Sequence, residues 1–262
     1  MAKRKQRDAF GTDYSDDLDL DDFEENCIMN FDDIPVHLKM AIYGDTGTFK
    51  TRTTALTSPS PFLLDCNDRG TLSIRGNNVK GAHIKSIRDL ERAYWYLAER
   101  PHKYKTVIWD TTTELLWIAI AECKDSLVPS QRNYGEAAEI INQWITNFKG
   151  LPMHVIFICQ ERRKDNDEDD DDVIIFPDLT PKVKSRLYQA VDIVGRMFIK
   201  EVKGKPVPAL QVGPHEFWKT KERSGVLKPR IIKPSISEII ELINSPESKL
   251  LKKKSKKKRK EK

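Results

Sequence analysis

The eight residues Gly44, Asp45, Thr46, Gly47, Thr48, Phe49, Lys50 and Thr51 follow an apolar run at 40–43 and precede a helical stretch that starts near Lys50. No other segment restricts the fold as strongly. A loop that wraps phosphate needs glycines, so that backbone N–H groups can turn toward the anion. It needs a lysine to reach the β and γ oxygens, a hydroxyl to hold Mg²⁺, and a helix N-terminus behind the site. Gly44, Gly47, Lys50 and Thr51 meet these needs. Phe49 stands where the usual pattern has its second fixed glycine, and a turn with an incidental lysine is the plainer alternative.

The rest of the chain repeats the strand–loop–helix alternation. Short apolar runs at 40–43, 61–65, 82–87, 106–110 and 154–159 predict strands. Helical periodicity covers 88–99, 113–124 and 136–149, and a further helix follows Pro181. Apolar stretches at 193–202 and 209–212 predict two more strands. Ser235 and Glu238 form a capping-box pattern ahead of a last helix. Such alternation implies an α/β fold with a mostly parallel central sheet flanked by helices. Residues 34–248 are long enough to bury one sizeable core.

Charge is segregated along the 262 residues, so the net value of +5 misleads. Residues 8–33 carry eleven acids and no base, 165–172 carry seven acids, and 249–262 carry ten Lys or Arg and one Glu. Residues 1–33 read as a disordered acidic arm, either solvating, DNA-mimicking or partner-docking. Residues 249–262 read as a disordered polycation able to contact phosphates without reading sequence. No run approaches the length of a membrane span, and no signal-peptide pattern opens the chain. Cys27, Cys66, Cys123 and Cys159 form no C-x-x-C pair, which suits a reducing cytosol rather than a disulfide framework or zinc ribbon.

Two further strand ends bear on chemistry. Asp110 closes the run Thr106, Val107, Ile108, Trp109, where an acid can support Mg²⁺ beside a phosphate loop. Thr111 and Thr112 read as caps of the next helix. Gln160 closes the run at 155–159, as a γ-phosphate sensor or as an ordinary strand-end amide.

In order, the phosphate loop, 62–65, 107–110, 157–160 and the late Lys221, Glu222, Arg223, Ser224, Gly225 resemble the RecA-like P-loop ATPase core. More narrowly, the segment 176–196 is similar to a stretch of phage nucleotide-binding proteins that act as single-strand annealing proteins. The resemblance implies ATP and Mg²⁺ as cofactors, with Gly44 to Thr51 on the nucleotide, Thr51 and Asp110 on the metal, and Gln160 coupling the γ-phosphate to the loop after it. Lys221 and Arg223 match the K-x-R of RadA-like relatives, whose basic residues reach a neighbouring subunit's nucleotide. As consecutive outward positions of a strand edge, they would project to one side with Lys219.

The family's catalytic glutamate corresponds to Asn67 here, with Asp68 adjacent as the alternative carboxylate. Residues 161–164 begin the loop that binds DNA in RecA, but the acidic run at 165–172 would repel a phosphate backbone. Tyr134 and Arg132 fall in the range 126–136, which matches the first DNA loop in order. The partners expected on this reading are single-stranded DNA, further copies of the chain in a ring or filament, and a single-strand-binding protein, with no membrane. The compartment is a cytoplasm, that of the host if the chain is phage-encoded. The rival reading is an ATP-dependent loader or assembly factor acting through protein partners.

Overall fold

The computed structural model describes residues 36–67, 70–164 and 173–245. The readings placed on the acidic arm, Asp68, the acidic run at 165–172 and the basic tail lie outside those residues.

The described residues fold around one mixed sheet. Its central strands are β1 (Lys39–Gly44), β2 (Pro61–Asp65), β3 (Lys80–His83), β4 (Thr106–Asp110), β5 (His154–Lys164) and β7 (Ile193–Val202). They lie in the order β3-β2-β4-β5-β1-β7 and pair in parallel throughout. β8 (Lys205–Gln211) and β10 (Arg230–Ile232) extend the β7 edge antiparallel, and the short β9 (Lys221–Glu222) pairs with the start of β7. β6 (Ile174–Pro177) pairs antiparallel with the far half of β5.

The strands read as unbroken apolar runs because both faces of the sheet are covered. On one face Tyr43, Trp109 and Phe157 pack under α2 (Ile87–Glu99), α3 (Thr112–Cys123), α4 (Gln131–Gly150) and α5 (Pro181–Ala190). On the other face Met40, Ile42, Ile108 and Ile156 pack under α1 (Lys50–Thr57) and α6 (Ile236–Asn244). Trp109 is fully buried, and its ring meets Phe148 and Phe157 edge-on at 5.0 and 4.9 Å between centroids. Ser86, Thr111, Ser130 and Ser235 each accept a backbone N–H at the start of a helix, so the sequence's Ser and Thr punctuation does set helix starts. Among the described residues no helix is long and apolar enough to cross a membrane.

Several expectations need correction. The third strand spans 80–83 rather than 82–87, because Ser86 is taken as the cap of α2. The eighth strand starts at Lys205 rather than 209, since a tight turn through Lys203 and Gly204, both at positive φ, returns the chain directly along β7. Helix α4 begins at Gln131, five residues before the expected start. Tyr134 therefore lies on a helix, half-buried against Trp117, and is not a free stacking platform. Arg132 is tied to Glu136 at 2.7 Å. Residues 161–164 are not a loop. They continue β5 and pair with β6, whose apolar Ile174, Ile175 and Phe176 are too few to stand out in sequence.

At the amino ends of β1 and β5, His154 Nδ1 accepts the Leu38 N–H at 2.9 Å. Burial, then the nearby His37, Lys39 and Lys105, push its pKa down to about 4 from 6.5. The folded chain therefore holds a neutral imidazole where the unfolded chain would take a proton. That stabilisation is full above about pH 6.5 and is lost as pH falls toward 4. For a half-buried ring it amounts to about 1–2 kcal/mol. Urea unfolding at pH 7 and pH 4.5 should show a smaller pH-dependent loss in His154→Asn, which keeps an acceptor without titrating. Equal losses in both proteins would remove His154 as the cause.

Candidate nucleotide site

Every central strand delivers its carboxyl end to the same edge, and there the phosphate loop leaves β1 and turns into α1. The turn uses two left-handed residues, Gly47 at φ 79° and Phe49 at φ 66°. A left-handed conformation costs a non-glycine residue roughly 1–2 kcal/mol, which explains why the usual pattern has glycine at the second position. The Phe49 side chain is partly exposed, at 36%, and lines the cavity rather than the core. Phe49→Gly should therefore raise stability by about 1 kcal/mol and leave nucleotide affinity equal or tighter. Unfolding of that variant would show that the ring packs where the structure says it does not.

Lys50 is the first residue of α1 and is buried. Its ammonium donates to the carbonyls of Gly44 and Asp45, both at 2.8 Å, and reaches Gln160 Oε1 at 3.4 Å. Burial holds its pKa below the ordinary lysine value, while Asp110, Glu161 and Asp45 act in the opposite sense. Thr51 Oγ1 donates to Asp110 Oδ2 at 2.7 Å. Asp110 is itself 2% exposed and is joined to Thr111 by a cis peptide. Burial raises its pKa to about 6, against the Thr51 hydrogen bond that favours the anion.

The loop residues Thr46 to Thr51, with Asn67, Gly70, Asp110 and Gln160, enclose a cavity of roughly 320 Å³. The structure thus brings together the loop, Lys50, Thr51, Asp110 and Gln160 from three separate strand ends. Asp45 turns its carboxylate back onto the Thr46 N–H at 2.7 Å, and Thr48 Oγ1 donates to the Asp45 carbonyl at 2.7 Å, so both brace the loop from within. Asn67 lines the cavity and its N–H donates to Asp65 Oδ1 at 3.1 Å.

Two acids at this edge escaped the sequence reading. Asp65 is the register partner of Asp110 on β2, is 4% exposed, and is paired with His83 at 3.2 Å. Its place at a strand end, like that of Asp110, was a usable signal. Glu161 follows Gln160 and is held by Arg196 through two contacts of 2.9 and 3.2 Å, while Arg196 rests on the Trp218 ring at 4.3 Å. No local pattern links residues 35 positions apart.

Lys221 and Arg223 lie elsewhere. β9 pairs with the start of β7, at the amino ends of the central strands and away from the phosphate loop. β9 itself is only two residues long, and Arg223 follows it directly. Lys221 turns inward and donates to the carbonyls of Tyr188 and Val191 at the end of α5, where a cation also suits the helix dipole. Arg223 remains exposed, with Asp192 at 4.0 Å. Lys221→Ala should accordingly cost about 1–3 kcal/mol in stability, measured by urea melts, because two helix-end carbonyls lose their donor. An unchanged midpoint would return Lys221 to the surface role expected from sequence.

Among solved structures, the chain is similar to the flagellar accessory protein FlaH from Methanocaldococcus jannaschii, with 11% identity, 76% of this chain and 85% of that one covered, and a TM-score of 0.43. It is also similar to a KaiC-like protein from Pyrococcus horikoshii OT3, with 10% identity, 66% and 78% coverage, and a TM-score of 0.42. A search of curated proteins finds no match. The RecA-like P-loop architecture expected from the sequence is the one observed, with a mostly parallel sheet and its phosphate loop after β1. The model of the AAA domain matches residues 37–224, the stretch from β1 through β9 that holds all of these strand ends, and the chain belongs to this family of P-loop ATPase domains.

Proposed function

We propose that the chain binds ATP with Mg²⁺ and hydrolyses it, and that as an oligomer it uses the cycle to bind single-stranded DNA and promote annealing or strand pairing in phage recombination or replication. The observation that carries the nucleotide part is the Thr51–Asp110 hydrogen bond of 2.7 Å beside the loop lysine. A hydroxyl and a carboxylate are oxygen donors suited to Mg²⁺, which usually takes one or two protein ligands and keeps several waters. Thr51 would be a direct ligand and Asp110 would hold a metal-bound water. The N–H groups of α1's first turn and the Lys50 ammonium would meet the phosphates, with Lys50 exchanging its two carbonyl partners for phosphate oxygens. The bound metal would neutralise charge that develops on the transferring phosphoryl group. Gln160, already within reach of Lys50, would orient to the γ-phosphate. Asn67 lacks the basicity of a carboxylate, so hydrolysis on this reading is slow or draws on Asp68.

The DNA part draws on the resemblance and on the basic tail, not on the β5–β6 hairpin, whose acidic run opposes a phosphate backbone. Its rival is a loader or assembly factor whose charged segments grip proteins. The test is hydrolysis measured with and without Mg²⁺ and with and without oligo-dT, at two salt concentrations. Stimulation by the oligonucleotide that fades with salt supports the DNA reading. Mg²⁺-dependent hydrolysis indifferent to DNA would favour the loader, and no ATP binding at all would remove both.

A further inference from the structure

A second cavity, of roughly 310 Å³, lies between the β5–β6 hairpin, α5 and the segment before β9. Its floor is apolar and is built from Ile174, Phe176 and the Tyr188 ring, while its rim is Lys164, Lys184 and Lys219. The three lysines come from β5, α5 and the chain ahead of β9, so nothing local in the sequence announces them. Lys184 Nζ sits 3.7 Å over the Phe176 ring. Among the described residues none of the three ammonium groups has a carboxylate within ion-pair distance. Asp178, close by on the hairpin, faces Arg162 at 3.7 Å. Burial, then the charges of Arg162 and Lys164, hold the Lys184 pKa below its ordinary value.

The Lys164 charge acts against that of Lys184, and an anion bound in a cavity lined by three lysines offsets such repulsion. An open apolar floor gains from an apolar body laid on it. The two needs are met by one ligand that carries a compact anion on an apolar group. We propose that this cavity binds the end of a partner peptide, taking the terminal α-carboxylate between Lys164, Lys184 and Lys219 and a bulky apolar last side chain on the Ile174, Phe176 and Tyr188 floor. Capture of a chain terminus is a known mode of peptide recognition.

A nucleic-acid strand fits the cavity less well. Seven acids follow Lys164 within eight residues. A strand carries many phosphates, each repelled by such a run, whereas a peptide end carries a single charge. The proposal does not rest on the ATP or DNA readings, although Lys164 lies in the segment first read as a DNA loop and Lys219 beside the Lys221 and Arg223 pair.

The test is fluorescence anisotropy with the full-length chain and the peptide Gly-Ser-Gly-Ser-Phe carrying an N-terminal fluorescein. The free acid should bind about tenfold more tightly than the same peptide ending in an amide, and about tenfold more tightly than one ending in alanine. The double variant Lys184→Gln/Lys219→Gln should lose the preference for the acid, with melting temperature unchanged. Equal affinity for acid and amide, the same affinity in the double variant, or no binding at millimolar peptide would each overturn the proposal. Tighter binding of labelled oligo-dT that is lost in the same double variant would also overturn it, and would assign the cavity to nucleic acid.

Discussion

Lys50→Ala should weaken ATP binding by about 3 kcal/mol, roughly a hundredfold, while leaving the chain folded. The ammonium is the buried cation at the cavity wall, and in the absence of nucleotide it serves the Gly44 and Asp45 carbonyls. Truncation takes that donor from the two carbonyls, a cost of about 1–3 kcal/mol that a chain with an extensive buried core withstands. Calorimetric titration with ATP and Mg²⁺ reads the affinity, and a urea melt reads the fold. Undiminished affinity would remove the phosphate-loop assignment, and with it the role given to Thr51 and Asp110.

Arg223→Ala carries the second large effect, a fall in hydrolysis of about a thousandfold with ATP binding by the single subunit unchanged. The geometry makes this a sharp test. The Arg223 N–H donates to the Asp192 carbonyl, ahead of β7, whereas the loop leaves the opposite end of the parallel strand β1. Arg223 therefore acts on another subunit's nucleotide or on none. Mixing Arg223→Ala with Lys50→Ala protein should restore part of the activity, because each variant keeps the half-site the other lacks. If mixed oligomers form and remain inactive, the shared site is wrong, and Arg223 is an exposed cation with Asp192 as its only acidic neighbour within ion-pair distance among the described residues.

Much of the fold and half of the site were legible in the residue order. Strands buried on both faces must be apolar throughout, so 61–65 and 106–110 could be read to the residue. The phosphate loop and the acid at the end of β4 are short-range patterns whose spacing mirrors backbone geometry. Even the departure at Phe49 was visible, although only its φ of 66° shows that the odd residue sits in the conformation glycine favours.

What the order of residues could not carry is what depends on pairing across the sheet. The acid pair Asp65 and Asp110 exists because β2 and β4 are neighbours in register, 45 positions apart. The Glu161–Arg196 pair and the three-lysine cavity join segments with no local signal between them. Lys221 shows the same limit from the other side. Strand alternation predicted an outward cation, but the Lys221 ammonium is claimed by the Tyr188 and Val191 carbonyls at the end of α5, 33 and 30 positions earlier in the chain. By itself the sequence determined that this chain builds a phosphate loop at the edge of a parallel sheet, because periodicity and loop chemistry are local. Which cations face a ligand and which hold a helix end was decided only by the tertiary packing, because burial and partner distance are properties of segments that meet after folding.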